Sequence, residues 1–271
     1  CIRDSSSAEG RRVYDDAQIT LLPAVLLEEK AKEDPAYASV QRYASKAGKY
    51  LSMRIGANWD PYCDGSSEHC SEDRCKSRMS CREETPKKLD VFVMSQCPFG
   101  IRALDAMKEF LEVFKDVKFS IHYIADYDES SGKFSSLHGQ GEVDENIRQL
   151  CVMKYYSENY KYMDYIWCRN KNIKSTSWES CATENSIDAA KIKSCAEGDE
   201  GRKLLRENIK LANDLAIGAS PTWLANNRHQ FSGITAEAVK TGYCRYNTGE
   251  PGCEKTLSAD TGGVPATGGC G

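Results

Sequence analysis

Residues Leu89 to Met94 read as a short apolar strand, and within three residues the chain reaches Cys97-Pro98 and the helical pattern of Ile101 to Phe114. Val117 to Ile124 then alternates as a half-buried strand does. Strand, helix and strand in this order make a β-α-β unit whose two strands run parallel, because the helix is the crossover that a parallel pair requires. Proline suits the first helical position, where its missing N–H would have had no partner. A cysteine at that turn meets unpaired amide N–H groups and the positive end of the helix dipole, which favour thiolate over thiol. The fold is therefore constrained to α/β, and a reactive sulfur is placed at the end of its first strand.

Cysteine usage sets the compartment. Thirteen cysteines in 271 residues are far more than a reducing cytosol sustains without metal, so an oxidising compartment such as the bacterial cell envelope is expected. The sequence begins at Cys1, followed by the polar, serine-containing segment Ile2 to Gly10, and this resembles a mature bacterial lipoprotein with lipid on Cys1 and a flexible tether. Setting Cys1 aside leaves an even twelve. With 36 basic and 40 acidic residues, neither concentrated in a block, nucleic acid is excluded as a partner. Ile19 to Leu27, interrupted by Pro23, falls short of the roughly 20 apolar residues of a membrane-spanning helix, so membrane contact is expected only through a lipid anchor.

Four regions follow. Residues 1–10 read as the tether. Residues 11–86 form an extension with two helix-like patterns, Ala17 to Lys32 and Pro35 to Ile55, and then the cluster Cys63, Cys70, Cys75 and Cys81. That cluster lacks the apolar residues of a core and needs staples; two disulfides are expected, and zinc with His69 is the alternative, although no C-x-x-C knuckle is present. Residues 87–243 hold the α/β domain. Within it, about 138–216 is nearly all helix, in segments Glu142 to Ser157, Asn159 to Asn170, Trp178 to Glu184, Ala189 to Ala196 and Gly198 to Leu215. Cys151, Cys168, Cys181 and Cys195 are placed to staple these helices in two bridges. Strands Thr222 to Ala225 and His229 to Phe231 and a helix Thr235 to Tyr243 complete the domain. Residues 244–271 form a turn-rich tail held by Cys244, Cys253 and Cys270.

The order strand, cysteine-bearing helix, strand, helical insertion, X-Pro and strand hairpin resembles the DsbA-like branch of the thioredoxin fold. Ser220-Pro221 matches that fold's cis-proline position, whose loop faces the active-site sulfur and receives an extended substrate. The stretch Ser136 to Cys151 is similar to the gamma-interferon-inducible lysosomal thiol reductase signature C-Q-H-G-x-x-E-C-x-x-N-x-x-x-x-C. His138, Gly139, Glu142, Asn146 and Cys151 match it, whereas Ser136 and Val143 stand where two cysteines would be. The resemblance covers residues 88 to about 243. It implies a thioredoxin-like domain with a large helical insertion, flanked by a helical, cysteine-rich extension and a disulfide-stapled tail.

At the catalytic turn the chain departs from the pattern, since Gly100 occupies the position of the second cysteine in a C-x-x-C dithiol. The expected site is Cys97, Pro98, Ser220 and Pro221, with no cofactor or metal. His122 and His138 read as structural, with proton transfer as the alternative, and Glu142 and Asn146 as caps or braces of the insertion. Two functions are compatible with these residues. One is monothiol thiol–disulfide exchange through Cys97 on a protein disulfide or thiol client, by a lipid-anchored envelope protein without a resolving cysteine. The other is a redox-inactive scaffold or accessory subunit of an envelope protein complex. Parity bears on the choice. A free Cys97 and a lipidated Cys1 leave eleven cysteines, so complete pairing requires Cys97 to bond a further cysteine, with the odd member of Cys244, Cys253 and Cys270 as the candidate.

Overall fold

Strand β4, Lys88–Val93, is buried at every residue from Leu89 onward, as a central strand covered on both faces must be. The computed structural model containing it describes all residues except 1–3, 5–6, 42–43, 54–58, 64, 77, 262 and 264–268. Cys1, the expected lipid site, lies outside the described residues. The chain divides into two units, Cys1–Arg82 and Glu83–Gly271.

In the first unit, helix α1 (Ala8–Ala17) is capped by Ser7, whose Oγ accepts from Gly10 N–H at 3.0 Å. Strands β1 (Val25–Glu28), β2 (Ala44–Ala47) and β3 (Tyr50–Met53), with the short helix α2 (Tyr37–Val40) before β2, form an antiparallel sheet of order β1-β3-β2. Among the described residues of 17–53, the two long helices expected there are therefore corrected to a small sheet with two short helical turns, Glu29–Glu33 and Tyr37–Val40. Pro23 cannot sit inside a helix, and the apolar runs on either side are too short for periodicity to separate helix from strand. The two-residue loop Gly48-Lys49 then closes β2 on β3, with Ala47 opposite Tyr50. Gly48 has φ +54°, and a Cβ there would lie 1.9 Å from the Asp16 carbonyl oxygen, so only glycine fits this contact with α1.

The cysteine cluster, which includes helix α3 (Ser67–Cys70), is closed by interleaved disulfides Cys63–Cys75 and Cys70–Cys81. Buried Asp60 accepts from Arg74 at 2.9 Å and from Tyr62 N–H at 3.0 Å, while the Tyr62 ring lies between Arg74 and His69. With all four sulfurs bonded to one another, no thiolate is left there for the zinc alternative.

In the second unit, α4 (Pro98–Val113) joins β4 to the parallel strand β5 (Lys118–Tyr123), and β4 pairs along its whole length, from Lys88 opposite Lys118 to Val93 opposite Tyr123. A hairpin follows, β6 (Asp126–Asp128) and β7 (Lys133–Ser135), and then the helical insertion: α5 (Gln140–Tyr155), α6 (Tyr162–Asn170), α7 (Trp178–Glu184), α8 (Ala189–Glu197) and α9 (Asp199–Asp214). The chain returns through β8 (Thr222–Ala225) and β9 (His229–Phe231) and ends its regular structure in α10 (Ala236–Cys244), capped by Thr235. Sheet order is β5-β4-β8-β9, with β8 antiparallel to both neighbours. This is a thioredoxin-like topology with the insertion between its second and third strands. Phe110 and Phe114 of α4 pack against Tyr243 of α10, and burial pushes the Tyr243 phenol up to about 12.

The insertion is organised around a buried carboxylate. Glu145 of α5 accepts from Arg169 of α6 at 3.1 and 3.2 Å, from Arg148 at 2.5 Å and from Gln149 at 3.0 Å. Arg169 also donates to the carbonyls of Ile173 and Ser175. The neighbouring phenols of Tyr123 and Tyr165 are held neutral, their pKa raised by burial and then by the Glu145 charge. Disulfides Cys151–Cys195 and Cys168–Cys181 tie α5 to α8 and α6 to α7. Replacing Arg169 with Met would leave Glu145 buried with its main partner removed. Loss of the sole partner of a buried charge costs about 3–5 kcal/mol, and because Arg148 still donates to Glu145 the urea midpoint of Arg169→Met is expected to fall by less than that range implies. An unchanged midpoint would show that Glu145 does not hold the insertion together.

Candidate functional site

The three residues after β4 are held by their backbone N–H groups, each by a different side chain. Met94 N–H donates to Ser220 Oγ at 2.9 Å, Ser95 N–H to Asn146 Oδ1 at 3.1 Å, and Gln96 N–H to Glu142 Oε1 at 2.8 Å. Cys97 then caps α4, with φ −73° and ψ 122°, and Pro98 takes the first helical position. Gly100 N–H donates to Cys97 Sγ at 3.5 Å, and the Cys97 carbonyl accepts from Ile101 N–H at 2.9 Å. The sulfur thus sits against the unpaired N–H groups of a sixteen-residue helix, where negative charge on it is favoured.

Glu142 is the hub of this loop. Fully buried at the start of α5, it accepts from Gln96 N–H, from Ser136 Oγ at 2.6 Å, from His138 N–H at 3.1 Å, and faces His138 Nδ1 at 2.9 Å. The signature residues Glu142 and Asn146 therefore hold the loop that carries Cys97 rather than only bracing the insertion, and His138 bonds Glu142. His122 pairs with buried Asp90 at 2.9 Å and stacks on Phe92.

The opposite wall is the Ser220-Pro221 loop, which has a cis peptide bond. The Ser220 carbonyl oxygen lies 3.4 Å from Cys97 Sγ. Its backbone pairs with the carboxyl-terminal tail: Ser220 N–H donates to the Cys270 carbonyl at 2.7 Å, and Cys270 N–H donates to the Ser220 carbonyl at 2.8 Å. Cys270 is disulfide-bonded to Cys97, with the two Cα atoms 6.0 Å apart and 173 residues between them in sequence. Of the two states the sequence leaves open, a free Cys97 and one bridged to a tail cysteine, the structure has the bridged one. Cys244 bonds Cys253, so Cys270 is the odd tail cysteine that reaches Cys97.

Gly100 shows why the partner comes from elsewhere. A Cβ at that position would stand 2.7 Å from Ser220 Oγ and 3.2 Å from the Met94 carbonyl oxygen. Because Ser220 Oγ is engaged by Met94 N–H, a side chain at 100 competes with the bond that joins the two walls of the site. The close approach of the Ser220 loop and a second cysteine on α4 are in conflict.

Sequence reasoning placed Cys97, Pro98, Ser220 and Pro221 together, and the structure brings them to one point. It missed the bonding of Glu142 and Asn146 to the loop that carries Cys97. Their spacing of four residues on one helix face was the available signal; the loop they reach, 46 and 51 residues away, was not legible.

The family model described as gamma interferon inducible lysosomal thiol reductase (GILT) matches residues 88–185, about a third of the chain. Among solved structures, oxidised BdbD from Bacillus subtilis is 16% identical over 60% of this chain and 88% of its own, with a TM-score of 0.46. The reduced disulfide bond oxidoreductase DsbG from Mycobacterium tuberculosis is 16% identical over 62% and 82%, with a TM-score of 0.45. The thiol-disulfide exchange protein alpha-DsbA2 from Wolbachia pipientis is 14% identical over 55% and 74%, with a TM-score of 0.40. No curated protein matches the sequence. The second unit has a thioredoxin-like fold, and its residues 88–185 are similar to the GILT family model.

Proposed function

We propose that the protein carries out thiol–disulfide exchange on protein clients, with Cys97 as the sulfur that meets the client. The observation that carries this reading is the placement of Cys97 Sγ between the amino terminus of α4 and the Ser220 backbone, already in a disulfide with Cys270, a tail cysteine rather than a core one. Thiolate character at the helix terminus makes Cys97 both an attacking group near neutral pH and a good leaving group when its disulfide is attacked. α4 supplies one sulfur only, so the helix works in a monothiol manner and any second sulfur is brought to it.

Six disulfides suit an oxidising compartment outside the cytoplasm. Among the described residues no helix is long and apolar enough to cross a membrane. A bacterial envelope location, with lipid on Cys1, belongs to the same proposal and rests on the cysteine count and the polar segment after Cys1. The mass of the native amino-terminal peptide tests it.

One observation favours a redox-silent scaffold as a second reading: Cys97 is 0% exposed and its disulfide joins the two ends of the unit. Reduction of insulin disulfides by a dithiol, compared between the protein and Cys97→Ala, separates the two. Exchange predicts that Cys97→Ala loses the catalysed rate; equal rates in the two proteins leave only the scaffold. A second expectation concerns Glu142. Glu142→Ala strips acceptors from Gln96 N–H, His138 N–H and Ser136, and buried donors left unpaired cost about 1–3 kcal/mol each. Both the thermal midpoint and the rate of Cys97 exchange are expected to fall, and a variant unchanged in both would remove Glu142 from the account.

A further inference from the structure

We infer that the carboxyl-terminal tail is a built-in occupant of the client's place: Cys270 sits where a client cysteine would sit, and its thiol resolves the Cys97–client disulfide. The inference rests on the exchange reading above and adds to it a second reacting residue and a reason for the tail.

Three observations converge on it. Cys270 meets the site through an isolated antiparallel bridge, with two backbone hydrogen bonds to Ser220 and with its sulfur bonded to Cys97. That is the arrangement a chain needs if a cysteine within it is to be joined to Cys97 while its backbone is held alongside. The flanking residues are shaped for it. A Cβ on Gly271 would fall 2.5 Å from the Gly218 carbonyl oxygen, and one on Gly269 would lie 3.1 Å from the Ser220 carbonyl oxygen. The tail therefore offers the groove only backbone and sulfur. Finally, the tail is guided to this point along α10 and α4. Leu257 N–H donates to Glu237, Ser258 N–H to Glu109, and Arg102 donates to the Asp260 carbonyl, so successive anchors step towards the amino end of α4, where Cys97 lies.

Accessibility sets the order of steps. Cys97 is fully buried in the closed form while residue Cys270 is partly exposed, so the first attack is assigned to Cys270 Sγ. Attack there by an external dithiol forms its mixed disulfide with Cys270 and releases Cys97 as thiolate. The reductant's second thiolate displaces Cys270, which leaves the reductant oxidised and both protein sulfurs reduced. With the tail free, Cys97 attacks a client disulfide, and one client sulfur departs as thiolate. Cys270 then attacks Cys97 Sγ, reforming Cys97–Cys270 and releasing the second client sulfur. Two electrons pass from the external dithiol to the client disulfide, with protons exchanged with solvent. Because tail and client need the same Ser220 groups, return of the tail also expels the product.

The test uses the full chain and Cys270→Ser, with insulin as the disulfide probe and dithiothreitol as the reductant. Cys270→Ser is expected to accumulate a Cys97–insulin mixed disulfide, seen by mass under non-reducing conditions, and to turn over at least tenfold more slowly. Its Cys97 is expected to alkylate without prior reduction. A second variant keeps both sulfurs and disturbs only the pairing: in Gly271→Val the Cys97–Cys270 disulfide is expected to open at a glutathione ratio at least tenfold more oxidising than in the parent. If Cys270→Ser forms the mixed disulfide but turns over at the parental rate without accumulating it, the tail inference is overturned and the exchange reading stands. If Cys97 in Cys270→Ser forms no mixed disulfide and alkylates no faster than an ordinary thiol, the exchange reading falls and the inference with it.

Discussion

Ser220 joins everything that matters at the site. Its hydroxyl takes the N–H of Met94 at the end of β4, its carbonyl lies against Cys97 Sγ, and its N–H and carbonyl together hold Cys270. A residue used on so many sides has no freedom left, and it is fully buried. The central strand, the Cys97 turn and the carboxyl-terminal tail are thereby made parts of one contact, which forms only if β8 is in register with β4. Gly100 is the consequence on α4, where any side chain would press on the Ser220 hydroxyl. With that close approach, the sulfur bonded to Cys97 comes from the tail and not from α4.

The insertion serves the site as well as the fold. Glu142 and Asn146 lie on the face of α5 turned towards the loop after β4, and they hold the N–H groups of Ser95 and Gln96, which have no strand partner. One turn further along, Glu145 and Gln149 face α6 and β5, where Arg169 and the Tyr123 hydroxyl meet them. A single helix thus connects a buried charged network to the aim of the sulfur. This explains why a helix with little amphipathic character is stable here: many of its polar residues are buried and partnered rather than solvated.

Legibility in the sequence followed sequence distance. Trp178 to Glu184, Thr222 to Ala225 and His229 to Phe231 are read with the bounds the structure has, because each is a short periodic run between turn residues. The β-α-β unit around Cys97 is equally local. Residues 17–55 were misread because their apolar residues, spaced by three and four, fit either a helix or a sheet until Pro23 and the Gly48-Lys49 loop are given full weight. At the site, parity required a partner for Cys97 if every cysteine pairs, yet nothing local distinguishes Cys270 from Cys244 or Cys253. That choice is made by tail geometry, through Glu237, Glu109 and Arg102, and only the folded chain contains it.

The account depends most on one bond being both present and the reactive one. Graded reduction of the native protein, with alkylation and peptide mass mapping at each step, tests this directly. Cys97 and Cys270 are predicted to be linked at the start and to be the first pair released, while the other five disulfides persist. A Cys97 found free or linked elsewhere in the unreduced protein, or a Cys97–Cys270 pair that opens only together with the core disulfides, would contradict it.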